Sequence, residues 1–587
     1  MPMYANGVVD AEGEDISSSE LLAHALSNCS VPQAPEDFTI RRGSAFVNEY
    51  ARLDKKTGQR NDGGPSDPNH LLGCFPTLFP YAKGGLETDR PISVPYETHA
   101  RWAMQYADRR FRKDLQFPFQ VFGVMQKREV CRSACLRMKR STFRHQAEII
   151  STLTPKDLIQ ASIEETRKIR FSNPAVRALR EELTAVRTHV KGTDEARYSV
   201  RSKIWGNNLI FNPPALWITL NPADTQDPIA QVLAGAQIDL DQFCNTLGPT
   251  SSERGITIAS DPYASAQFFH LIITRILEDL FGVKKGPYGR VERKFGILGK
   301  VQSYIGTVEI QGRGSLHLHL LVWLKDAPTS HELKAALKTP EFRDKVRNYI
   351  KSTIRADIDG KSKENIQALP KPVVAISYSR PIDPRTSTEG EREEQEKKLA
   401  QALQLHRCSA AACLMVVRGR LECKRRFPFP LSERDDVNEH GDWKPKRLCG
   451  YLNNWNPTTM LALRANHDIK LIMDGRETAT LTFYITNYAT KKQQKSSNVS
   501  ALLAESMAYT KFIDRKEKAT DLNVVNKRLI QRCANSLTRY REFSGPEVHT
   551  YIMGWGDVYE SHHYIVIFWD GAMRALKEAY PDLSDRR

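Results

Sequence analysis

The sequence lacks any long apolar run. No stretch approaches the ~18 consecutive apolar residues that a membrane-spanning helix needs. The first residues, MPMYANGVVDAEGEDISSSE, are acidic and polar and lack the apolar core of a secretory signal. The sequence therefore predicts an intracellular protein with no membrane partner. Cysteine is sparse and irregularly spaced, with ten residues in 587, which in such a protein indicates reduced thiols or metal ligands and excludes a disulfide framework.

Several catalytic motifs are also absent. No G-x-x-x-x-G-K-[ST] occurs, because Arg355 stands where the GKS at 360–362 needs its upstream glycine. No G-x-S-x-G, HExxH or protein-kinase pattern appears. These absences exclude a recognisable nucleotide-hydrolysing motor, a serine hydrolase of that type, a zincin and a kinase.

Positive charge is what the chain has in excess. Lys plus Arg number 85 against 69 for Asp plus Glu, a net charge of +16. Such an excess favours nucleic acid as the partner. An anionic membrane surface is the rival, disfavoured because the chain has no basic amphipathic anchor and no lipidation motif. The basic, aromatic stretch over 96–144 fits a helical surface that faces nucleic acid and equally a solvated helical face.

The length predicts several domains instead of a single core. The pattern of strand, helix, hairpin and helix over 212–354 predicts an α+β domain whose antiparallel sheet is covered by helices. Thr154 followed by Pro155 predicts a helix start, and the amphipathic run over 265–282 predicts a helix that stops at Gly282.

One segment, VEIQGRGSLHLHLLVWL over 308–324, predicts a β-hairpin with two histidines on one strand. His317 and His319 stand two apart, so both imidazoles project from the same face of that strand. Glu309 and Gln311 likewise share one face of the partner strand. If the register brings the two faces together, two imidazoles and one oxygen would suit Mg²⁺ or Mn²⁺ bridged to a phosphate. A pair of structural histidines is the alternative that this segment alone leaves open.

A second segment, FYITNYATKK over 483–492, carries Tyr484, Tyr488 and Lys491. These side chains fall within about 40° of one another around a helix. A phenol is a weak nucleophile at its ordinary pKa near 10, and it becomes useful when a metal polarises the phosphate and a cation stabilises negative charge. Taken alone, the segment is better explained by a helix that packs aromatic residues into a core. Together with the hairpin, it predicts a metal-dependent nuclease that attacks DNA with tyrosine.

A third segment over 405–430 is rich in cysteine, histidine and basic residues. Its ligand types suit structural zinc, although the spacing is not a pair of C-x-x-C motifs. Cys449 is a further candidate zinc ligand. Buried thiols without metal are an equal alternative. The candidate zinc ligands are His406, Cys408, Cys413 and Cys423.

An ordered series of segments across most of the chain resembles the N-terminal, replication-initiator-like portion of Helitron transposases, known as the Helitron helicase-like region. The segments are HLLGCFPTLFPYAKGG (70–85), PPALWITLNPADTQDP (213–228), EIQGRGSLHLHLLVW (309–323), HRCSAAACLMVVRGRLECKRRFPFP (406–430), NNWNPTTMLALRANHDIKL (453–471), YITNYATKK (484–492) and PEVHTYIMGWGDVYESHHY (546–564).

The resemblance implies an HUH endonuclease with an antiparallel Rep-type nuclease core covered by helices and flanked by helical and Cys/His-rich domains. It implies that His317 and His319 bind the metal with Glu309 or Gln311, and that Tyr484 and Tyr488 are paired nucleophiles. Lys491 then matches the lysine of the Y-x-x-x-Y-x-x-K pattern. The implied reaction nicks single-stranded DNA, leaves a 5′-phosphotyrosine and a free 3′-OH, and transfers the strand. The implied partners are transposon ends in the nucleus.

This chain departs from the family in two ways. Family members continue into a superfamily 1 helicase, and this chain stops before it. We therefore expect a truncated copy, a nuclease-only version, or one half of a split pair whose helicase is supplied in trans. Leu316 replaces the proline that usually precedes the first metal histidine. The competing hypothesis is a catalytically inactive remnant that still binds single-stranded DNA.

The predicted division of the chain follows from these segments. It comprises a partly disordered tail (1–65), a basic helical region with a possible role in DNA binding (66–200), the nuclease core with the metal-binding hairpin (201–375), an insertion with a charged linker and the Cys/His segment (376–463), a strand and tyrosine helix that complete the core (464–498), and a C-terminal helical region (499–587).

Overall fold

The structure is a computed structural model. Of the sequence predictions, the tail over 1–65 and the residues Gln311, Tyr484, Tyr488 and Lys491 lie outside the described residues. The described residues are 71, 74–81, 84–86, 91–92, 94–138, 143–241, 249–286, 289–310, 314–358, 361–367, 378–410, 413–417, 419–473, 486–487, 498–517, 522–565 and 569–580.

The strands, numbered along the chain, are β1 (Leu216–Leu220), β2 (Val283–Lys285), β3 (Val291–Arg293), β4 (Val301–Ile310), β5 (Leu316–Leu324), β6 (Leu414–Val417), β7 (Arg420–Cys423), β8 (Asp436–Val437), β9 (Trp443–Lys444), β10 (His467–Leu471) and β11 (Val558–Glu560).

The helices before the hairpin are α1 (Tyr96–Met104), α2 (Arg110–Lys113), α3 (Phe117–Met138), α4 (Phe143–Ser151), α5 (Pro155–Thr166), α6 (Pro174–Arg187), α7 (Asp194–Phe211), α8 (Pro228–Leu233), α9 (Ser251–Ala259) and α10 (Pro262–Arg275), which continues into a π-helical turn (Ile276–Leu280).

The helices after the hairpin are α11 (Ser330–Ala336), α12 (Pro340–Thr353), α13 (Lys363–Gln367), α14 (Glu389–Leu403), α15 (Pro457–Leu463), α16 (Val499–Glu517), α17 (Leu522–Arg539), α18 (Gly545–Met553) and α19 (Trp569–Ala579).

A five-stranded antiparallel sheet lies at the centre, in the order β10–β1–β5–β4–β11. The predicted hairpin forms its middle, because β4 and β5 pair directly and β1 lies on the other side of β5. The two edge strands come from distant parts of the sequence. The α+β class predicted from the sequence is therefore confirmed.

The two faces of β5 are buried against different helices. Leu318 and Leu320 point into the largest core, where α10 and α12 contribute Phe269 and Ile350. On the opposite face, residues such as Trp323 pack beneath α7 with Val200 and Ile204. Because both faces are covered, the strand is apolar along most of its length and its two histidines stand out.

Helices near the end of the chain pack against helices near its beginning. Side chains of α16 and α17 share one apolar cluster with α3, α4, α5 and α6. Helix α18 packs with α1 and α3 in another cluster, and β11 then joins the central sheet at its edge. The described residues from 498 onward therefore contribute to both the helical part and the sheet.

Local signals in the sequence predict several boundaries well. Thr154 caps α5 through a reciprocal bond pair with Asp157, and Pro155 is its first residue. The helix predicted over 265–282 begins earlier, because Asp261 caps it, and ends in the π-helical turn before Gly282. Gly282 has a φ of +73°, and a Cβ there would lie 2.6 Å from a backbone oxygen.

None of the helices in the described part of the chain is both long and apolar enough to cross a membrane.

Candidate metal centre

Glu309, His317 and His319 lie together on one face of the central sheet. Glu309 is the direct partner of His317 across β4 and β5, and His319 is opposite Thr307. Directly opposed residues project from the same face, and residues two apart do so as well. The hairpin register therefore brings the carboxylate to the two imidazoles.

Three atoms form a nearly equilateral triangle. Glu309 Oε2 lies 3.3 Å from His317 Nε2 and 2.9 Å from His319 Nε2. The two Nε2 atoms are 3.1 Å apart. A cation with ligands at about 2.1 Å in octahedral or tetrahedral geometry requires neighbouring ligand atoms about 3.0–3.4 Å apart. The triangle has the size that a bound divalent cation requires.

Protonation chemistry favours a cation at this position over a purely structural arrangement. In a neutral imidazole, Nε2 either carries a hydrogen or presents a lone pair. If both neutral rings carry their hydrogen on Nε2, the two N–H groups point at each other. If either Nε2 lacks the hydrogen, its lone pair faces the Glu309 carboxylate. His317 also has a buried Nδ1 with no hydrogen-bond partner among the described residues. A divalent cation would meet three lone pairs at once, so the residues fit a metal.

Burial shapes the electrostatics of the triangle. Burial alone would raise the pKa of the Glu309 carboxyl, but hydrogen bonds and positive charge from His317 and His319 outweigh it and hold that pKa below its ordinary value. Burial lowers the pKa of His319 by more than the hydrogen bond to Glu309 raises it, and the charges of His317 and Arg197 lower it further. The His319 ring therefore favours its neutral form, which metal ligation requires.

Strand β1 supplies a second layer of contacts around His319. Thr219 is opposite His319 in the β1–β5 register, and its Oγ1 lies 3.1 Å from His319 Nδ1. The Trp217 indole stacks on the His319 ring, with centroids 5.3 Å apart and planes at 9°. These contacts orient the ring so that Nε2 faces Glu309.

Arg197 on α7 lies close to the same place. It is buried, and its Nη1 donates to the carbonyl oxygen of Val308 at 2.5 Å and pairs with Asp557 at 3.5 Å. The residue thereby ties the start of α7 to the end of β4 and to the loop before β11. Its charge explains part of the lowered pKa of His319.

A second cluster of ligands lies at the base of the β6–β7 hairpin. His406 Nε2 is 3.4 Å from Cys413 Sγ and 3.3 Å from Cys423 Sγ. Cys408 joins them, and the four ligand atoms all lie within 4.8 Å of one another. Cys449, the further candidate, instead packs in an apolar cluster with Trp455.

Residues 99–322 match the family model described as "Helitron helicase-like domain at N-terminus". This part of the chain is a Helitron-related N-terminal region. It begins within α1, includes β1 and β4, and ends within β5. Comparison with curated proteins found no match.

The Helitron-related region contains all three residues of the candidate metal triangle. Glu309, His317 and His319 all fall inside the match, as do Thr219 and Trp217. The Cys/His cluster and the tyrosine segment lie beyond it. Tyr484, Tyr488, Lys491 and Gln311 lie outside the described residues, so their roles stay predictions.

Three residues that support the Helitron-related hairpin, namely Trp217, Thr219 and Arg197, were not among the predicted site residues. Trp217 and Thr219 stand two apart in LWITL, a spacing that places both on one face of a strand. The spacing of Trp217 and Thr219 could have been recognised in the sequence, but it does not indicate which strand lies beside β1. Arg197 carries no distinguishing signal among the many basic residues of the chain.

Proposed function

We propose that this chain is the nuclease part of a Helitron-type rolling-circle transposase, with an HUH core that nicks single-stranded DNA and transfers the strand. The observation that supports this most is the triangle of Glu309 Oε2, His317 Nε2 and His319 Nε2 on an antiparallel sheet inside a Helitron-related region. Such an N/N/O set leaves coordination positions for a phosphate oxygen.

The triangle is proposed to hold Mg²⁺ or Mn²⁺, with Gln311 as a further candidate ligand. A bound cation of this kind would polarise the scissile phosphate and stabilise the charge that develops on it. The contribution of the chain is to hold three lone pairs in place. Thr219 and Trp217 fix the ring of His319 for this purpose.

The phenol oxygen of Tyr484 or Tyr488 is proposed to attack the phosphorus. The new bond joins this oxygen to phosphorus, and the bond to the 3′ oxygen breaks. The phenol proton leaves to solvent, the 3′ oxygen becomes a hydroxyl, and a 5′-phosphotyrosine remains on the protein. Lys491 stabilises negative charge on the phosphate, and the second tyrosine allows strand transfer.

The partners follow from the same proposal. The net charge of +16 favours DNA as the substrate. We expect transposon ends to be the sites of action and the nucleus to be the compartment.

The test is incubation of the purified chain with end-labelled single-stranded DNA and Mn²⁺, analysed on a denaturing gel. We expect a metal-dependent covalent protein–DNA band that disappears in the Tyr484→Phe/Tyr488→Phe double variant and in His317→Ala. The matched control is Tyr580→Phe, a tyrosine that is 62% exposed. The single tyrosine variants should lose different steps, the nick or the transfer.

The competing hypothesis, an inactive remnant that binds DNA, makes a different prediction for the same samples. It predicts retarded DNA on a native gel and no covalent band with any single-stranded substrate or metal. That outcome would overturn the nuclease proposal and leave a DNA-binding module.

A further inference from the structure

The β6–β7 hairpin has almost no apolar core of its own. Among the described strands, β6 and β7 pair only with each other. Val416 and Leu421, which face each other across the hairpin, are both 71% exposed. An isolated two-stranded hairpin is marginally stable in water. A further interaction must therefore hold this one in place.

The buried residues of the hairpin are the cysteines at its base. Cys413 directly precedes β6, and Cys423 is the last residue of β7. His406 contacts both sulfurs from the segment that follows α14, at 3.4 Å and 3.3 Å. Cys408 completes a set of three sulfurs and one nitrogen within 4.8 Å of one another.

The backbone around these sulfurs donates hydrogen bonds to them. The Ser409 N–H donates to Cys413 Sγ at 3.3 Å. The N–H groups of Arg425 and Phe427 donate to Cys423. Hydrogen bonds of this kind stabilise a thiolate more than a thiol, and they are typical of sulfurs that bind metal.

The ring of His406 is held as well. It stacks on Phe427, with centroids 4.3 Å apart and planes at 15°. This contact restricts the tilt of the ring, and the ring nitrogen lies within 3.4 Å of both sulfurs. The imidazole nitrogen is therefore already directed at the position that a metal would occupy.

We propose that His406, Cys408, Cys413 and Cys423 form a closed tetrahedral zinc site that holds the β6–β7 hairpin against the rest of the chain. Three thiolates and one imidazole leave no open position, which is the signature of a structural zinc. Sulfur ligands select zinc over the hard cations Mg²⁺ and Mn²⁺. Binding releases the protons of the three thiols to solvent. The site differs in ligands and place from the Glu309/His317/His319 triangle, and it does not depend on the nuclease proposal.

Cobalt substitution tests the site directly. The full-length chain, without a histidine tag and with its thiols kept reduced, is stripped of metal and titrated with Co²⁺. We expect one equivalent to produce the visible bands of tetrahedral Co²⁺ together with a near-ultraviolet sulfur-to-cobalt charge-transfer band. Added Zn²⁺ should remove both. The charge-transfer band requires thiolate ligands, so the nitrogen and oxygen ligands of the triangle cannot produce it.

Variants assign the signal to residues. Cys408→Ser, at an exposed position where substitution costs no packing, should weaken the charge-transfer band, and Cys413→Ser should abolish tetrahedral binding. Cys135→Ser, on α3, is the matched control and should leave the spectrum unchanged, as should His317→Ala. Absence of a thiolate charge-transfer band in the wild type would overturn the proposal. So would a band that survives in both cluster variants.

Limited proteolysis tests whether zinc holds the β6–β7 hairpin in place. Lys424 and Arg425 are exposed beside the last ligand, so trypsin can reach them whenever the backbone loosens. We expect chelation of zinc to increase cleavage after these residues at least several-fold, mapped by mass spectrometry, while cleavage within α10 stays constant. Equal cleavage with and without zinc would show that the metal does not hold the hairpin.

Discussion

Thr219 is the residue that decides which nitrogen of His319 faces the candidate metal centre. Its hydroxyl lies against Nδ1, so Nε2 is left for Glu309 and a cation. A hydrogen bond to the outer nitrogen of a ligating histidine fixes both the tautomer and the ring orientation.

Substitution of Thr219 should weaken metal binding. We expect Thr219→Val, which keeps the shape and removes the hydroxyl, to lower Mn²⁺ affinity by about 10–100-fold. Thr219→Ser, which keeps the hydroxyl, should retain most of it. Isothermal titration of the full-length chain, with zinc present throughout, measures both. A Thr219→Val variant that binds Mn²⁺ like the wild type would show that Thr219 does not position the ring.

At the scale of elements, His467 joins β10 to the helices behind it. The ring is fully buried, its Nε2 accepts from the Asn456 N–H at 3.0 Å, and its Nδ1 contacts the Ala465 carbonyl oxygen at 3.3 Å. Only the neutral ring can accept from Asn456. Burial accordingly lowers the pKa of His467 to about 4.

This histidine makes stability depend on pH. Between the ordinary histidine pKa of about 6.5 and about 4, the unfolded chain binds a proton that the folded chain does not. Stability is therefore fully present above about 6.5 and falls as the pH drops, by up to about 3 kcal/mol. We expect His467→Gln, which can still accept from Asn456, to reduce this loss.

Urea unfolding of the wild type and the variant, at about pH 7.5 and about pH 5, measures the difference. Comparing the two proteins cancels the contribution of other titrating groups. If acid lowers the midpoint of both proteins by the same amount, His467 is not responsible for the pH dependence.

The segments that carry the Helitron resemblance include structural elements as well as chemistry. Asn454 and Asn456, from the segment over 453–471, donate side-chain hydrogen bonds to the carbonyl oxygens of Ile469 and Thr353. The first bond attaches the edge strand β10 to the segment before α15, and the second attaches that segment to the end of α12. A recognisable motif in this chain is therefore not by itself evidence of a catalytic residue.

At the scale of the whole molecule, the helices near the end of the chain complete a core that begins near its start. Leu503 on α16 is fully buried in the cluster formed with α5 and α6, where Leu158 and Leu179 lie. The N-terminal helices would expose this apolar surface without α16 and α17. Their stability therefore depends on residues more than three hundred positions away.

Removing one buried side chain should loosen distant helices. We expect Leu503→Ala to lower the free energy of local opening of α5 and α6 by about 2–5 kcal/mol, the usual cost of a cavity. Hydrogen exchange over 155–187 measures this loss directly. Leu209→Ala is the matched control, because Leu209 is 87% exposed and its removal should cost less than about 0.5 kcal/mol. Unchanged exchange over 155–187 in Leu503→Ala would show that α16 does not stabilise α5 and α6.

Much of the local structure could be predicted from the sequence. The two-residue spacing of His317 and His319, and the glycines between two apolar runs, predicted the hairpin and the shared face of the histidines. Thr154 and Pro155 predicted the start of α5. These signals are local, since they depend on strand periodicity, turn residues and capping hydrogen bonds within a few positions.

What only the tertiary structure decided is which distant segments meet. The placement of β1 beside β5 brought Thr219 and Trp217 to His319, and the edge strands β10 and β11 came from distant parts of the chain. Strand pairing over such separations depends on how apolar faces are buried in the whole molecule, which no short window of sequence encodes. The sequence by itself determined the types of candidate ligand and their common face, and the packing of the sheet determined their distances and surroundings.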